Sequence, residues 1–156
     1  MTDKHGDLTL LVDDTVLNIR VAILVETPAG FVFEKHKSGY LFVLGGRVKI
    51  NETSEEAALR EVFEELRLKD LKLDLISIIE NFFSVDNGKK YHEINFVYKT
   101  VINEMPDLSQ FTSDSGNVGY HYIKNEDFAN YDIRPKAIKE LIKIQKPFVH
   151  LVNKAK

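Results

Sequence analysis

A chain of 156 residues, 44% hydrophobic and 29% charged, is long enough to bury the core of one globular domain and gives no reason to expect a second. A net charge of −3 and the absence of cysteine exclude a strongly basic nucleic-acid surface, disulfides and thiolate chemistry, and suit a reducing cytoplasm. No apolar run approaches the ~20 residues of a membrane span, and the polar start MTDKHGDL has no secretory h-region.

Residues 1–7 read as a flexible polar tail, and residues 8–156 as one domain without repeats or a Pro/Gly/Ser-rich linker. A short strand is expected over 8–12. Residues 19–26 and 31–34 form a hairpin around Thr27-Pro28-Ala29-Gly30, because Pro and Gly supply turn dihedrals between β-branched and aromatic runs. A further strand over 40–44 ends at the pair Gly45-Gly46, and a helix follows over 54–66. Beyond it, 71–83 is β-rich, and 91–101 alternates well enough to pair with it across Asp86-Asn87-Gly88. Residues 103–119 read as an irregular loop and 120–123 as a strand. A last helix runs from Pro135 to about Gln145 and stops before Pro147. Strands flanked by two helices imply an α/β sandwich, with a mixed sheet between helices.

The informative stretch is residues 45–68, GGRVKINETSEEAALREVFEELRL. Thr53 is a good helix N-cap and Glu56 falls three residues later, a capping box that fixes the register. At about 100° per residue, Ala58, Leu59, Val62, Phe63 and Leu66 gather on one apolar face, with Glu61, Glu64, Glu65 and Ala57 opposite. A charged solvated face is the ordinary explanation of a Glu-rich helix. Here it is poor helix design: Glu61 is followed at i+4 by Glu65, costing ~0.2–0.5 kcal/mol. The C-terminal end of the dipole adds ~0.3–1 kcal/mol per negative charge. Arg60 relieves Glu56 or Glu64 but not the whole cluster. A hard divalent cation would, and oxygen donors without Cys favour Mg²⁺ or Mn²⁺ over zinc.

The run Gly46, five residues, Glu52, seven residues, Arg60-Glu61-Val62-Phe63-Glu64-Glu65 resembles the signature box of the Nudix hydrolases, G-x5-E-x7-R-E-U-x-E-E-x-G-U with U aliphatic. The order of strands and helices around it is similar to the family's α/β/α sandwich. Two positions depart: Arg67 replaces the box's last Gly, and Leu44 replaces the Pro often found before the paired glycines. A modified helix C-cap and intact chemistry are expected. The resemblance implies that Glu61, Glu64 and Glu65, with the backbone carbonyl of Gly45, hold Mg²⁺, with Mn²⁺ as a substitute. It further implies that Glu52 and Arg60 brace loop to helix, with Gly46 supporting the site. The implied reaction is attack of water on phosphorus in a diphosphate linked to another moiety: a nucleoside triphosphate, nucleotide sugar or dinucleotide. A catalytically quiet nucleotide-sensing module on the same fold is the alternative, and a plain structural α/β domain a third.

Relatives often use another carboxylate outside the box as base or ligand. Glu93 in YHEINF, Glu80 in IIENFF and Asp114 in TSDSG are the candidates, with Glu61 itself also eligible. Lys35 and Lys37 are placed to meet phosphate, and Phe83, Phe82 or Tyr91 to stack on a base, although solvated charge and core packing are the ordinary roles of such residues. His36 and His92 read as hydrogen-bonded strand-end residues. The expected partner is a small nucleotide substrate, with neither nucleic acid nor membrane, and homodimers are common among relatives.

Overall fold

The computed structural model describes residues 5–111 and 119–154; Asp114 lies outside them. The described strands are β1 (Thr9–Val12), β2 (Thr15–Thr27), β3 (Gly30–Lys35), β4 (Leu41–Arg47), β5 (Asp74–Ser84), β6 (Lys90–Val101), β7 (Tyr120–Ile123), β8 (Ile133–Arg134) and β9 (Val149–Lys154). The helices are α1 (Ser54–Leu66) and α2 (Ala137–Lys143), with short 3-10 turns at Leu108–Gln110 and Asn125–Asn130.

These strands form one mixed sheet in the order β7-β3-β4-β2-β6-β5-β9, with β1 added to β2 and β8 to β4. The β2–β6, β5–β9 and β4–β8 pairs are parallel. The central strand β2 carries an apolar run from Val21 to Val25 that is buried throughout. Such a run marks a strand covered on both faces. Alternation along it separates two cores. Val21, Ile23 and Val25 pack with Leu44 against Ala57, Ala58, Val62 and Leu66 of α1. Ala22 and Leu24 pack with Phe33, Val43, Ile79 and Val97 against Ala137, Ile138 and Leu141 of α2. The fold is the expected α/β sandwich, with one helix on each face.

Several boundaries move. The strand expected to stop at the glycine pair continues through it, with Gly45 and Gly46 opposite Ala22 and Val21. The last helix is shorter than 135–145, because Ile144 is already extended and closes the final turn with a bond from its amide to the Leu141 carbonyl at 3.1 Å. The strand β9 was not expected; it adds to β5 in parallel with alternate residues facing solvent. The tail is tied down at its end, where Asp7 bridges to Lys49 and faces Arg47 at 3.6 Å. Among the described residues no helix is long and apolar enough to cross a membrane.

Candidate active site on α1

The helix begins as expected. Glu56 N–H donates to the Thr53 hydroxyl at 3.1 Å and Thr53 N–H to the Glu56 carboxylate at 2.9 Å, completing the capping box. Ser54 and Tyr98 hydroxyls, 2.6 Å apart, tie this end to β6.

The buried face differs from the expected one. Leu59 and Phe63 are each 36% exposed, whereas Ala57 and Glu61 are 0% and 3% exposed. The helix is therefore rotated so that the inner edge of its acidic arc, not its outer apolar edge, lies on the sheet. The glycine pair makes room for this. A Cβ on Gly46 would overlap the Glu61 carboxylate, and one on Gly45 would overlap the Val21 carbonyl. Phe63, left outside, is covered by cation-π contacts from Arg67 at 5.3 Å and Lys69 at 5.2 Å.

Arg60 organises the loop. Its Nε and Nη2 donate to the two oxygens of Glu52 at 2.8 and 2.9 Å, and Nη2 also donates to the Arg47 carbonyl at 3.0 Å. Nη1 donates to Glu61 at 2.9 Å and lies 3.6 Å from Glu64. Glu52 additionally accepts from the Lys49 amide at 2.9 Å. The bidentate pair fixes β4, loop and helix together. Arg60 beside it holds the Glu52 carboxyl below its ordinary value.

The rear of the helix has the opposite character. Burial pushes the Glu61 carboxyl up to about 7 against the pull of Arg60. Burial, with the charges of Glu61 and Glu34, raises Glu65 well above the ordinary range. Glu65 accepts from the Tyr120 hydroxyl at 3.3 Å and from the backbone of Gly45. The second oxygen of Glu65 is buried with no hydrogen-bond partner. Arg67 closes the helix in the left-handed region (φ 58°) and donates its amide to the Phe63 carbonyl at 2.9 Å. Arginine thus occupies the conformation glycine would adopt without strain, at a cost of about 1–2 kcal/mol.

Among the described residues no three acidic or histidine side chains form a ready-made cation shell: Glu61 is turned to Arg60, and Glu65 to Tyr120. The donors nevertheless fit a hard cation. They are all oxygen, the buried Glu61 and half-buried Glu65 both have raised pKa, and one buried oxygen is orphaned.

The other candidates lie elsewhere. Glu80 is on the α1 side of β5, bonded to His150 Nε2 at 2.6 Å, so a surface partner holds it instead of the helix glutamates. Glu93 is 8% exposed and alternates with Val97 onto the α2 side, where it accepts from Asn18 at 2.8 Å. Lys35 shares the α2 face of β3 with Phe33. Phe83 stacks on Tyr91, with centroids 4.9 Å apart and planes at 7°; His92 stacks on Phe82 and His36 on Tyr40. Sequence reasoning missed Glu34 and Tyr120. Glu34 is 6% exposed and its charge acts on Glu65; in the run EKHK it looked like surface charge. The signal available was position: two residues after Val32, it shares the face of α1.

The family model described as the NUDIX domain matches residues 10–142. The chain belongs to the Nudix family. Several solved structures share this Nudix fold. The mutator MutT protein from Bacillus halodurans is 16% identical over 85% of this chain and 89% of its own, with a TM-score of 0.64. A MutT Nudix hydrolase from Burkholderia pseudomallei is 17% identical over 83% and 98%, also at 0.64. The E. coli dihydroneopterin triphosphate pyrophosphohydrolase is 15% identical over 80% and 92%, at 0.61. These likenesses extend the Nudix assignment to the fold, and no curated protein matches the chain in sequence.

Proposed function

We propose that this Nudix protein is a Mg²⁺-dependent pyrophosphohydrolase that cleaves the diphosphate linkage of a nucleoside diphosphate joined to another moiety. The observation that carries this reading is the buried Glu61 beside the half-buried Glu65, held against a glycine pair with one buried carboxylate oxygen of Glu65 unpaired. Glu61, Glu64 and Glu65, with the Gly45 carbonyl, would hold the cation. Bound Mg²⁺ or Mn²⁺ supplies Lewis acidity and lowers the pKa of bound water.

The chain's own residues contribute position and proton transfer. Arg60 and Glu52 keep the end of β4 against α1, so that Gly45 and Gly46 stay beside Glu65 and Glu61. Glu61, at the buried inner edge of the helix and bonded through one oxygen to Arg60, is the carboxylate we assign to accept a proton from an attacking water. It is better placed for this than Glu80, which is held by His150, or Glu93, which lies on the other face of the sheet.

The test is a panel of nucleoside triphosphates, dinucleotides and nucleotide sugars with Mg²⁺, reading phosphate or pyrophosphate release. At least one substrate should turn over in the native chain and lose most of its rate in Glu64→Gln. Equal rates in the two would overturn the mechanism, and binding without turnover would mark a sensing module instead.

A further inference from the structure

Strand β7 turns two tyrosines toward α1. In the β3–β7 register Tyr120 stands opposite Glu34 and Tyr122 opposite Val32, and both rings pack in the core beneath α1. The rings fill space alike, but their hydroxyls do different things. Tyr122 donates to the Pro106 carbonyl, which ties β7 to the segment after β6. Tyr120, 7% exposed, donates to Oε1 of Glu65 at 3.3 Å.

A buried phenol needs a hydrogen-bond partner, and a main-chain carbonyl of the kind Tyr122 uses would serve. Tyr120 instead reaches a carboxylate on the last turn of α1, among the glutamates that would hold the cation. Glu65 is pulled two ways there. It accepts from the backbone of Gly45 on β4, while Glu61 on its own helix and Glu34 on β3 place negative charge on it. That repulsion favours turning the carboxylate off the sheet, and the Tyr120 hydroxyl opposes the turn. At 3.3 Å the bond is longer than the roughly 2.5–3.0 Å usual for hydroxyl donors. It therefore guides Glu65 without competing for it as a short charge-assisted bond would. The other oxygen, Oε2, has no hydrogen-bond partner.

We propose that Tyr120 is a positioning residue for the cation site: its hydroxyl holds Glu65 Oε1 against the sheet and so leaves Oε2 for the metal. This rests on the hydrolase reading above in taking Glu65 as a cation ligand. Tyr120 acts through Glu65, as an outer partner that orients a ligand. The two tyrosines separate this role from packing. Tyr120→Phe keeps the ring and removes the hold on Glu65, whereas Tyr122→Phe keeps the ring and removes only the tie to Pro106.

The experiment is calorimetric titration of Mn²⁺ into the substrate-free native chain, Tyr120→Phe and Tyr122→Phe, each checked for a cooperative melt. Tyr120→Phe should bind Mn²⁺ about ten-fold or more weakly. Tyr122→Phe should bind it as the native chain does while melting at a lower temperature. With a hydrolysed substrate, Tyr120→Phe should need more Mg²⁺ for its half-maximal rate. Native Mn²⁺ affinity in a cooperatively folded Tyr120→Phe overturns the proposal. So does tighter binding, which would show the hydroxyl holding Glu65 away from the metal, and so does an equal loss in Tyr122→Phe, which would mark a general loosening of β7. If Tyr120→Phe loses affinity in a chain that hydrolyses no substrate, the hydrolase reading falls and the role of Tyr120 stands. No Mn²⁺ binding by the native chain overturns both.

Discussion

The two ends of α1 obey opposite rules. At the front, every local feature stabilises the helix: a completed capping box, acidic residues in the first turn, and a hydroxyl pair to β6. At the rear nearly every feature opposes it: no basic residue in the last turn, a left-handed Arg67, and a buried Glu61 and half-buried Glu65 whose charges act on each other and on Glu34. The front secures a helix whose rear could not stand alone. Opposition of this kind, confined to one turn facing a glycine pair, is what a cation site needs before the cation arrives.

The largest expected effect comes from relieving the rear. Glu65→Gln should lower turnover about 100-fold or more, yet raise the melting temperature of the metal-free protein, since a neutral amide replaces a buried carboxylate. Kinetics and melting on one preparation check both signs together.

Arg60→Ala breaks the connection between the ends. It strands Glu52 and deepens the repulsion around Glu61. Because the Arg60 side chain keeps 21% exposure, the loss should be about 2–3 kcal/mol, below the 3–5 of a fully buried pair. Denaturant unfolding measures it.

The two ends should also respond differently to pH. The folded-state pKa of Glu61 is raised, from 4.5 to about 7. Its contribution to stability is therefore fully present below about 4.5 and lost as the pH rises through 7. Glu52, held low by Arg60, contributes above 4.5 and loses that contribution as the pH falls through its lowered folded value. Metal-free protein should gain stability on acidification from pH 7 toward 5, and Glu61→Gln should reduce the gain in a series of melts, leaving the part that the raised Glu65 contributes.

Thr53→Ala should cost about 1 kcal/mol and leave kcat unchanged. The smallest effect is Arg67→Gly, a gain of about 0.5–1 kcal/mol from relieving the left-handed residue, offset in part by the lost contact with Phe63. Both are read from melts beside steady-state rates.

The front of α1 was legible because caps are local: Thr53 and Glu56 meet through adjacent backbone whatever the rest of the chain does. The glycine pair and the Glu52–Arg60 brace were legible through the spacing of the box, though not that β4 continues through the pair. The rotation of α1 was not, since periodicity ranks Leu59 and Phe63 as core and cannot know that Gly46 leaves space for the Glu61 carboxylate. The burial of polar residues on the α2 side was hidden for a related reason: Asn18 and Asn95 are 1% and 6% exposed. Asn18 and Asn95 alternate with apolar residues as solvent-facing positions do, and only the assembled sheet reveals that their side is covered. The strand β9 was missed because six residues after Pro147 alternate weakly, and their pairing with β5 is long-range.

The measurement that bears most directly on the central claim is the shift in melting temperature on adding Mn²⁺ to the native chain and to Glu65→Gln. Cation binding to the rear glutamates predicts a clear upward shift in the native chain and little or none in the variant. Equal shifts in both, or no shift in the native chain, would contradict it.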